Sequence, residues 1–190
     1  LVTHGTGSTA LYEDKDGSGV YLAPAGIANS LKKNGDGTWT ETAPSGFAYR
    51  YDTNGDLAKL VHPAGDVWTI LRDADRLSAL VGPDSSRTTY AYNGSNMLKR
   101  ITDPAGRITS FTIDADKRLT DVNRPDGTSI GLRYNSDSTV KAYIDAGSNR
   151  TSYSYDYRRQ VRRVTAPGGG MTTYVYDSNL EFTAIIDPAN

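Results

Sequence analysis

The sequence predicts an all-β protein of stacked β-hairpin repeats, with a period of about 21 residues, forming a curled or spiral β-sheet solenoid. Three observations point there. A proline-led turn recurs at Pro63, Pro83, Pro104, Pro125, Pro167 and Pro188, at spacings of 20, 21, 21, 42 and 21, and Ala146 sits at the midpoint of the long gap. A second column, Asp52, Asp73, Asn93, Asp114, Asn135, Asp156 and Asp177, steps by 21, 20, 21, 21, 21 and 21. The chain also holds 13 Tyr and 19 Gly against 3 Phe and 2 Met, a balance that favours strands and turns over helices. The two steps of 20 describe one deletion, between Asp73 and Pro83. Residues 1–44 read as a lead-in β segment and residues 45–190 as an array of seven repeats.

Each unit reads as strand, turn, strand, turn. The first strand is Tyr153-Ser154-Tyr155 in one unit, and Tyr174-Val175-Tyr176, Tyr90-Ala91-Tyr92 and Tyr49-Arg50-Tyr51 in others. Alternation at period two puts the rings on one face. An Asp or Asn then starts a turn, because its side chain bonds the backbone ahead of it. The second strand carries two apolar columns. One is Leu57, Leu77, Leu98, Leu119, Val140, Val161 and Phe182; the other, three residues on, is Leu60, Leu80, Ile101, Val122, Tyr143, Val164 and Ile185. A spacing of three is helical in isolation, but a segment of about six residues between turns is too short for a helix, so the sequence predicts a strand with a bulge. Proline then pre-sets the second position of a type I turn. A single hairpin is marginal in water, so the units are expected to pack column on column, with the Leu98/Ile101 and Leu119/Val122 pairs in the core.

The pattern Tyr-x-Tyr-Asp followed after about ten residues by Asp/Arg-Pro-x-Gly, best seen in residues 153–169 and 174–188, resembles the YD repeats of the RHS (rearrangement hot spot) family. Asn34-Gly35-Asp36-Gly37-Thr38-Trp39 is similar to the segment leading into such arrays. The resemblance implies a spiral β-sheet, often a hollow shell around a cargo, as in polymorphic toxins, insecticidal toxin complexes and the teneurins. It implies a non-catalytic structural segment of a larger protein, acting as shell wall or scaffold around or carrying a toxin cargo. The alternative is an adhesion module for glycans or cell-surface proteins. The implied partners are further repeats or a toxin domain of the parent chain, and the implied location is secreted or cell-surface. The last unit carries Phe182, Ile185 and Ile186 without a following strand, so the fragment is expected to have an open edge prone to self-association.

Chemistry-bearing motifs are sparse. No cofactor and no catalytic residue is expected: the two histidines are His4, near a terminus, and His62, in a repeat turn, and no nucleophile or phosphate-loop motif accompanies them. With no cysteine, thiolate metal sites are excluded. Glu13-Asp14-Lys15-Asp16-Gly17-Ser18-Gly19 imitates a calcium loop through Asp14, Asp16 and Ser18, but Ala25 occupies the place of the closing acid. A hairpin turn between residues 10–12 and 20–22 explains the string better. Exposed candidates for binding are Tyr157 and the cations Arg158, Arg159, Arg162 and Arg163, which suit phosphate or anionic glycan. The formal net charge of −1 gives no bulk attraction to nucleic acid, and no apolar run is long enough to span a bilayer.

Overall fold

A computed structural model describes residues 1–3, 7–14 and 17–187. Among them lie nineteen β-strands and no helix. The chain divides into two units, Leu1–Tyr90 and Ala91–Asn190.

In the first unit β1 (Val2–Thr3) and β2 (Thr9–Ala10) form a small antiparallel pair. An antiparallel meander follows in strict sequence order: β3 (Val20–Tyr21), β4 (Ser30–Lys33), β5 (Trp39–Thr42), β6 (Ala48–Tyr51), β7 (Leu57–Val61), β8 (Val67–Asp73), β9 (Arg76–Val81) and β10 (Arg87–Tyr92). β10 crosses the unit boundary, and its first three residues pair with β9. The second unit continues the pattern with β11 (Leu98–Thr102), β12 (Ile108–Ile113), β13 (Leu119–Asn123), β14 (Ser129–Tyr134), β15 (Val140–Ile144), β16 (Arg150–Tyr155), β17 (Val161–Thr165), β18 (Met171–Tyr176) and β19 (Phe182–Ile186). Neither unit closes its sheet into a barrel. From β6 to β19 the strands number fourteen, two for each of the seven repeats.

The bulge inferred from the spacing of three is present. The register shifts between Ser154 and Tyr155, so that Tyr155 faces Val161 while Ser154 faces Arg163. The same shift falls at Arg50/Tyr51, Leu71/Arg72, Thr112/Ile113, Arg133/Tyr134 and Val175/Tyr176. One extra residue turns a two-residue period into a three-residue step, which keeps Val161 and Val164 on the same face.

Both turn columns use one geometry. In residues 103–107 the Asp103 N–H donates to the Arg107 carbonyl (3.0 Å) and the Gly106 N–H to the Asp103 carbonyl (2.9 Å). In residues 156–160 the Asp156 N–H donates to the Gln160 carbonyl (3.0 Å) and the Arg159 N–H to the Asp156 carbonyl (3.1 Å). This is a three-residue hairpin loop, a type I turn closed by a left-handed residue. The leading Asp locks it: Asp52 Oδ1 accepts the N–H groups of Asn54 and Asp56, each at 2.9 Å. His62 does the same with Nδ1, accepting the Ala64 N–H at 3.2 Å. The deletion after Asp73 appears as a two-residue turn, Ala74-Asp75, between Asp73 and its partner Arg76.

Two expectations need correction. Among the described residues, 10–12 and 20–22 are not strand partners: β2 pairs with β1, β3 pairs with β4, and an antiparallel Glu13–Leu22 bridge closes the loop between them. The apolar columns are not buried. Leu98, Ile101, Leu119 and Val122 are each half-buried, because a single sheet layer covers only one side of a side chain and, among the described residues of their own unit, no second layer lies on it. The fully buried hydrophobic cluster is Val2, Ala10, Tyr12 and Leu31, packed against Tyr21, Trp39 and Tyr51.

The left-handed place in each loop is filled by Gly55, Gly65 and Gly106 in some repeats, but by Lys117 (φ 64°) and Arg159 (φ 65°) in others. A side chain there costs roughly 1–2 kcal/mol, partly offset by the extra unfolded-state freedom of glycine. Lys117→Gly is therefore expected to raise stability by about 0.5–1 kcal/mol, read as a higher urea midpoint at unchanged slope. Gly106→Val is expected to move the midpoint the other way.

Candidate functional site

Repeats are joined at one end by ladder hydrogen bonds and at the other by tyrosine hydroxyls. β17 and β18 pair only at Arg163–Thr173, Val164–Thr172 and Thr165–Met171. Beyond Arg163 the ladder stops, and the Tyr176 hydroxyl reaches back to donate to the Val161 carbonyl at 2.9 Å. Tyr155 donates to Val140 (2.8 Å) and Tyr134 to Leu119 (2.7 Å), each fifteen residues back. Arg72 holds the same place in its repeat and its guanidinium donates to the Leu57 carbonyl at 3.3 Å. Ile113 occupies the position in the fourth column member and has no donor to offer.

Tyr51 starts the column and finds a different acceptor. Glu41 is fully buried on β5, in cross-strand register between Leu31 and Tyr49. Its Oε1 accepts from the Tyr12 hydroxyl (3.0 Å) and the Asn29 side-chain amide (2.8 Å), and its Oε2 from the Tyr51 hydroxyl (2.9 Å). One carboxylate thus ties Tyr12 and Asn29 to Tyr51 of β6. Sequence reasoning passed over Glu41. The available signal was its place two residues from Trp39, which puts it on the ring-bearing face. Burial, followed by the hydrogen bond to Glu41 and its negative charge, pushes the Tyr12 hydroxyl up to about 12 and shifts Tyr51 upward for the same reasons.

The candidate residues fall in two separate places. Tyr157 is 85% exposed at the tip of the Asp156 turn, with the Arg158 guanidinium 4.9 Å from its ring centroid. Arg159 takes the left-handed place and its Nε lies 3.8 Å from Asp137. Arg162 and Arg163 are exposed on β17, Arg163 between Ser154 and Thr173. In the calcium-like string, Asp14 caps a turn: Oδ1 accepts the Gly17 N–H (2.8 Å) and Oδ2 the Gly19 N–H (3.3 Å). Ser18 Oγ accepts the Val20 N–H at 3.2 Å. Asp16 and His4 lie outside the described residues. Among the described residues no three His, Cys, Asp or Glu side chains cluster to hold a metal ion. Among the same residues no helix is long and apolar enough to cross a membrane.

Removing one tie leaves a carbonyl without its donor. Tyr155→Phe is expected to cost about 1 kcal/mol, the net worth of an ordinary hydrogen bond, and Ile113→Tyr to recover a similar amount by supplying the missing donor. Thermal melts of both variants check this. The Glu41 knot has a pH signature. Raised tyrosine pKa values mean stability that is complete below the unfolded value of 10.0 and lost as pH rises through the folded one. Between about pH 10 and 12 the urea midpoint is expected to fall more steeply in the native chain than in Tyr12→Phe.

A profile of the teneurin YD-shell family matches residues 72–189. No curated protein sequence matches the chain. Among solved structures, the Tc holotoxin pore of Photorhabdus luminescens, carrying a mutated TccC3, aligns over 90% of this chain and 11% of its own at 14% identity and a TM-score of 0.61. TcdB2-TccC3 without its hypervariable C-terminal region aligns over 90% of this chain and 12% of its own at 14% identity, TM-score 0.63. TcdB2-TccC3-Cdc42 aligns over the same shares at 14% identity, TM-score 0.64. At that identity the likeness is one of fold. A 21-residue hairpin period, a tyrosine tie between repeats and a family profile covering more than half of the residues agree: the chain belongs to the teneurin YD-shell family.

Proposed function

We propose that the chain is a non-catalytic wall segment of a larger YD-repeat shell, scaffolding or enclosing a cargo such as a toxin domain, in a secreted or cell-surface protein. Residues 45–190 supply the wall, and residues 1–44, fastened through Glu41, cover its first strands. The observation that carries this reading is the repeated strand pair: from β6 to β19 two strands serve each repeat, and tyrosine hydroxyls at Tyr134, Tyr155 and Tyr176 tie neighbouring repeats. β19 stands to β18 as β17 stands to β16, and all five of its residues are exposed, with Phe182 at 53%, Ile185 at 56% and Ile186 at 50%. The equivalent Val161 and Val164 of β17 are half-buried, because β18 lies beside them. No described strand lies on the outer side of β19, and an open edge of this kind can accept one. Further repeats of the parent chain are the fitting partner, and a second copy is the substitute when they are absent.

A second reading, adhesion to glycans or cell-surface proteins, is favoured by the exposed Tyr157–Arg158 stack with Arg159, Arg162 and Arg163 nearby in sequence. Amide hydrogen exchange tests the wall. In dilute chain, β19 amides are expected to exchange faster than those of β17, and to slow as concentration rises or when further repeats follow in the same polypeptide. A monomer whose β19 is as protected as β17 at every concentration overturns the reading.

A further inference from the structure

In the first unit one line of residues crosses the sheet at right angles to the strands. Lys32, Thr40, Arg50, Lys59, Thr69, Val81 and Arg87 are successive cross-strand partners from β4 to β10. Alternation puts them on the face opposite Leu31, Glu41, Tyr49, Leu60 and Trp68, which form the neighbouring line. Six strand spacings of roughly 4.8 Å make the line about 29 Å long. All four of its cations are exposed, and among the described residues none has a carboxylate within 4.0 Å.

Arg50 and Lys59 stand directly opposite one another. Like charges in that position destabilise a sheet, so local rules argue against this pair. They also line one depression of about 380 Å³ together with Asn34, Thr38 and Thr40. Its one carboxylate, Asp36, already accepts the Thr38 N–H (3.0 Å) and hydroxyl (2.6 Å). The depression therefore offers cations and hydroxyls to a visitor.

We propose that this line is a binding track for an acidic polysaccharide, a uronate or sulfated chain lying across the strands. Charge complementarity asks for a polyanion. The direction of the line excludes an added peptide strand, which would run along a sheet edge at about 3.3 Å per residue. The residues between the cations exclude single-stranded nucleic acid, which needs aromatic platforms for its bases, and the rings Tyr49 and Trp68 are on the other face. Threonine hydroxyls at Thr40 and Thr69 suit sugar hydroxyls instead. The track goes beyond the wall reading and does not depend on it: exchange at β19 can fail its test while the track binds, and the reverse.

The test is binding of the full chain to polygalacturonate and dextran sulfate, with neutral dextran, single-stranded DNA and polyglutamate as comparison probes, by calorimetry at several salt concentrations. The native chain is expected to bind at least one of the two acidic polysaccharides, and not dextran. The double variant Arg50→Thr/Lys59→Thr is expected to bind about tenfold more weakly with a shallower salt dependence, two fewer counterions being released. Threonine already occupies this line at two places, and removing a like-charge pair is expected to leave the melting temperature equal or higher, so loss of fold is not the explanation. A charge-matched control, Lys117→Ser/Arg124→Ser in the turns, is expected to bind as the native chain does. Absence of binding to both acidic polysaccharides, equal loss in the control, equal affinity for dextran, or tighter binding of DNA or polyglutamate overturns the track.

Discussion

Beside six of the seven Asp/Asn-column turns a bulge shifts the register, and the arrangement of the repeats follows from where the carbonyl left beyond the end of the inter-repeat ladder finds a donor. In β17 it is the Val161 carbonyl, and the donor is the Tyr176 hydroxyl of the next repeat. The bulge is also what keeps both apolar columns on one face, so it cannot be removed without turning Val161 or Val164 to the other side. Once it is present, a half-buried carbonyl needs a partner, since leaving it unpaired costs about 1–3 kcal/mol. A tyrosine at the end of the first strand supplies one at the right reach and adds ring area to the same face. The Thr side chains at the bulge serve the facing strand in the same way: Thr120 donates to the Thr112 carbonyl and Thr183 to Val175. The Tyr-Asp pair thus has two tasks in adjacent residues, tying to the previous repeat and closing the turn to the next strand.

Most of the frame was legible in the sequence. Prolines and Asp/Asn residues act through their own backbone, so their columns reported the turns and even the deletion after Asp73, which is a two-residue turn at Ala74-Asp75. The spacing of three reported the bulge because it conflicts with a flat strand. What escaped were features set by pairing across distance. The tyrosine columns pointed to a ring-bearing face but not to a hydroxyl that bonds a carbonyl fifteen residues back. Glu41 draws Tyr12 and Asn29 from 29 and 12 residues away, a pairing that no strand pattern reports. Burial was overestimated for the same reason: periodicity shows which residues share a face and says nothing of whether a second layer covers it.

Charge is partitioned along with structure. Strands of the second unit carry Lys99, Arg100, Arg133, Lys141, Arg150, Arg162 and Arg163 against one carboxylate, Asp121, and that one is held by Arg133 at 3.3 Å. The acids sit in turns, where their oxygens are already used by backbone. Backbone hydrogen bonds from Arg107 and Arg118 hold the carboxyls of Asp103 and Asp114 below their usual range. A near-zero total therefore hides an acidic rim around cationic strands. Strand cations also deter sheet-to-sheet aggregation, which matters in a single layer with half-covered faces.

Sharing ties between neighbours makes each repeat's stability partly the property of the next. Stability in such arrays is a sum of unit terms and nearest-neighbour terms. The Tyr tie belongs to the second kind: Tyr155 sits in one repeat and serves a carbonyl of the one before it. The two departures in the column are then informative. Arg72 reaches its carbonyl with a longer arm, at 3.3 Å, in the repeat whose turn is shortened, so the tie survives a deletion that changed the hairpin. Ile113 gives up the hydroxyl but keeps its register opposite Leu119. Packing across the bulge is therefore the obligatory part of the position, and the hydroxyl strengthens the joint between repeats that the ladder has already aligned. At Tyr51 the hydroxyl is turned to Glu41, and the position that joins repeats along the array is here fastened, through that carboxylate, to Tyr12 and Asn29.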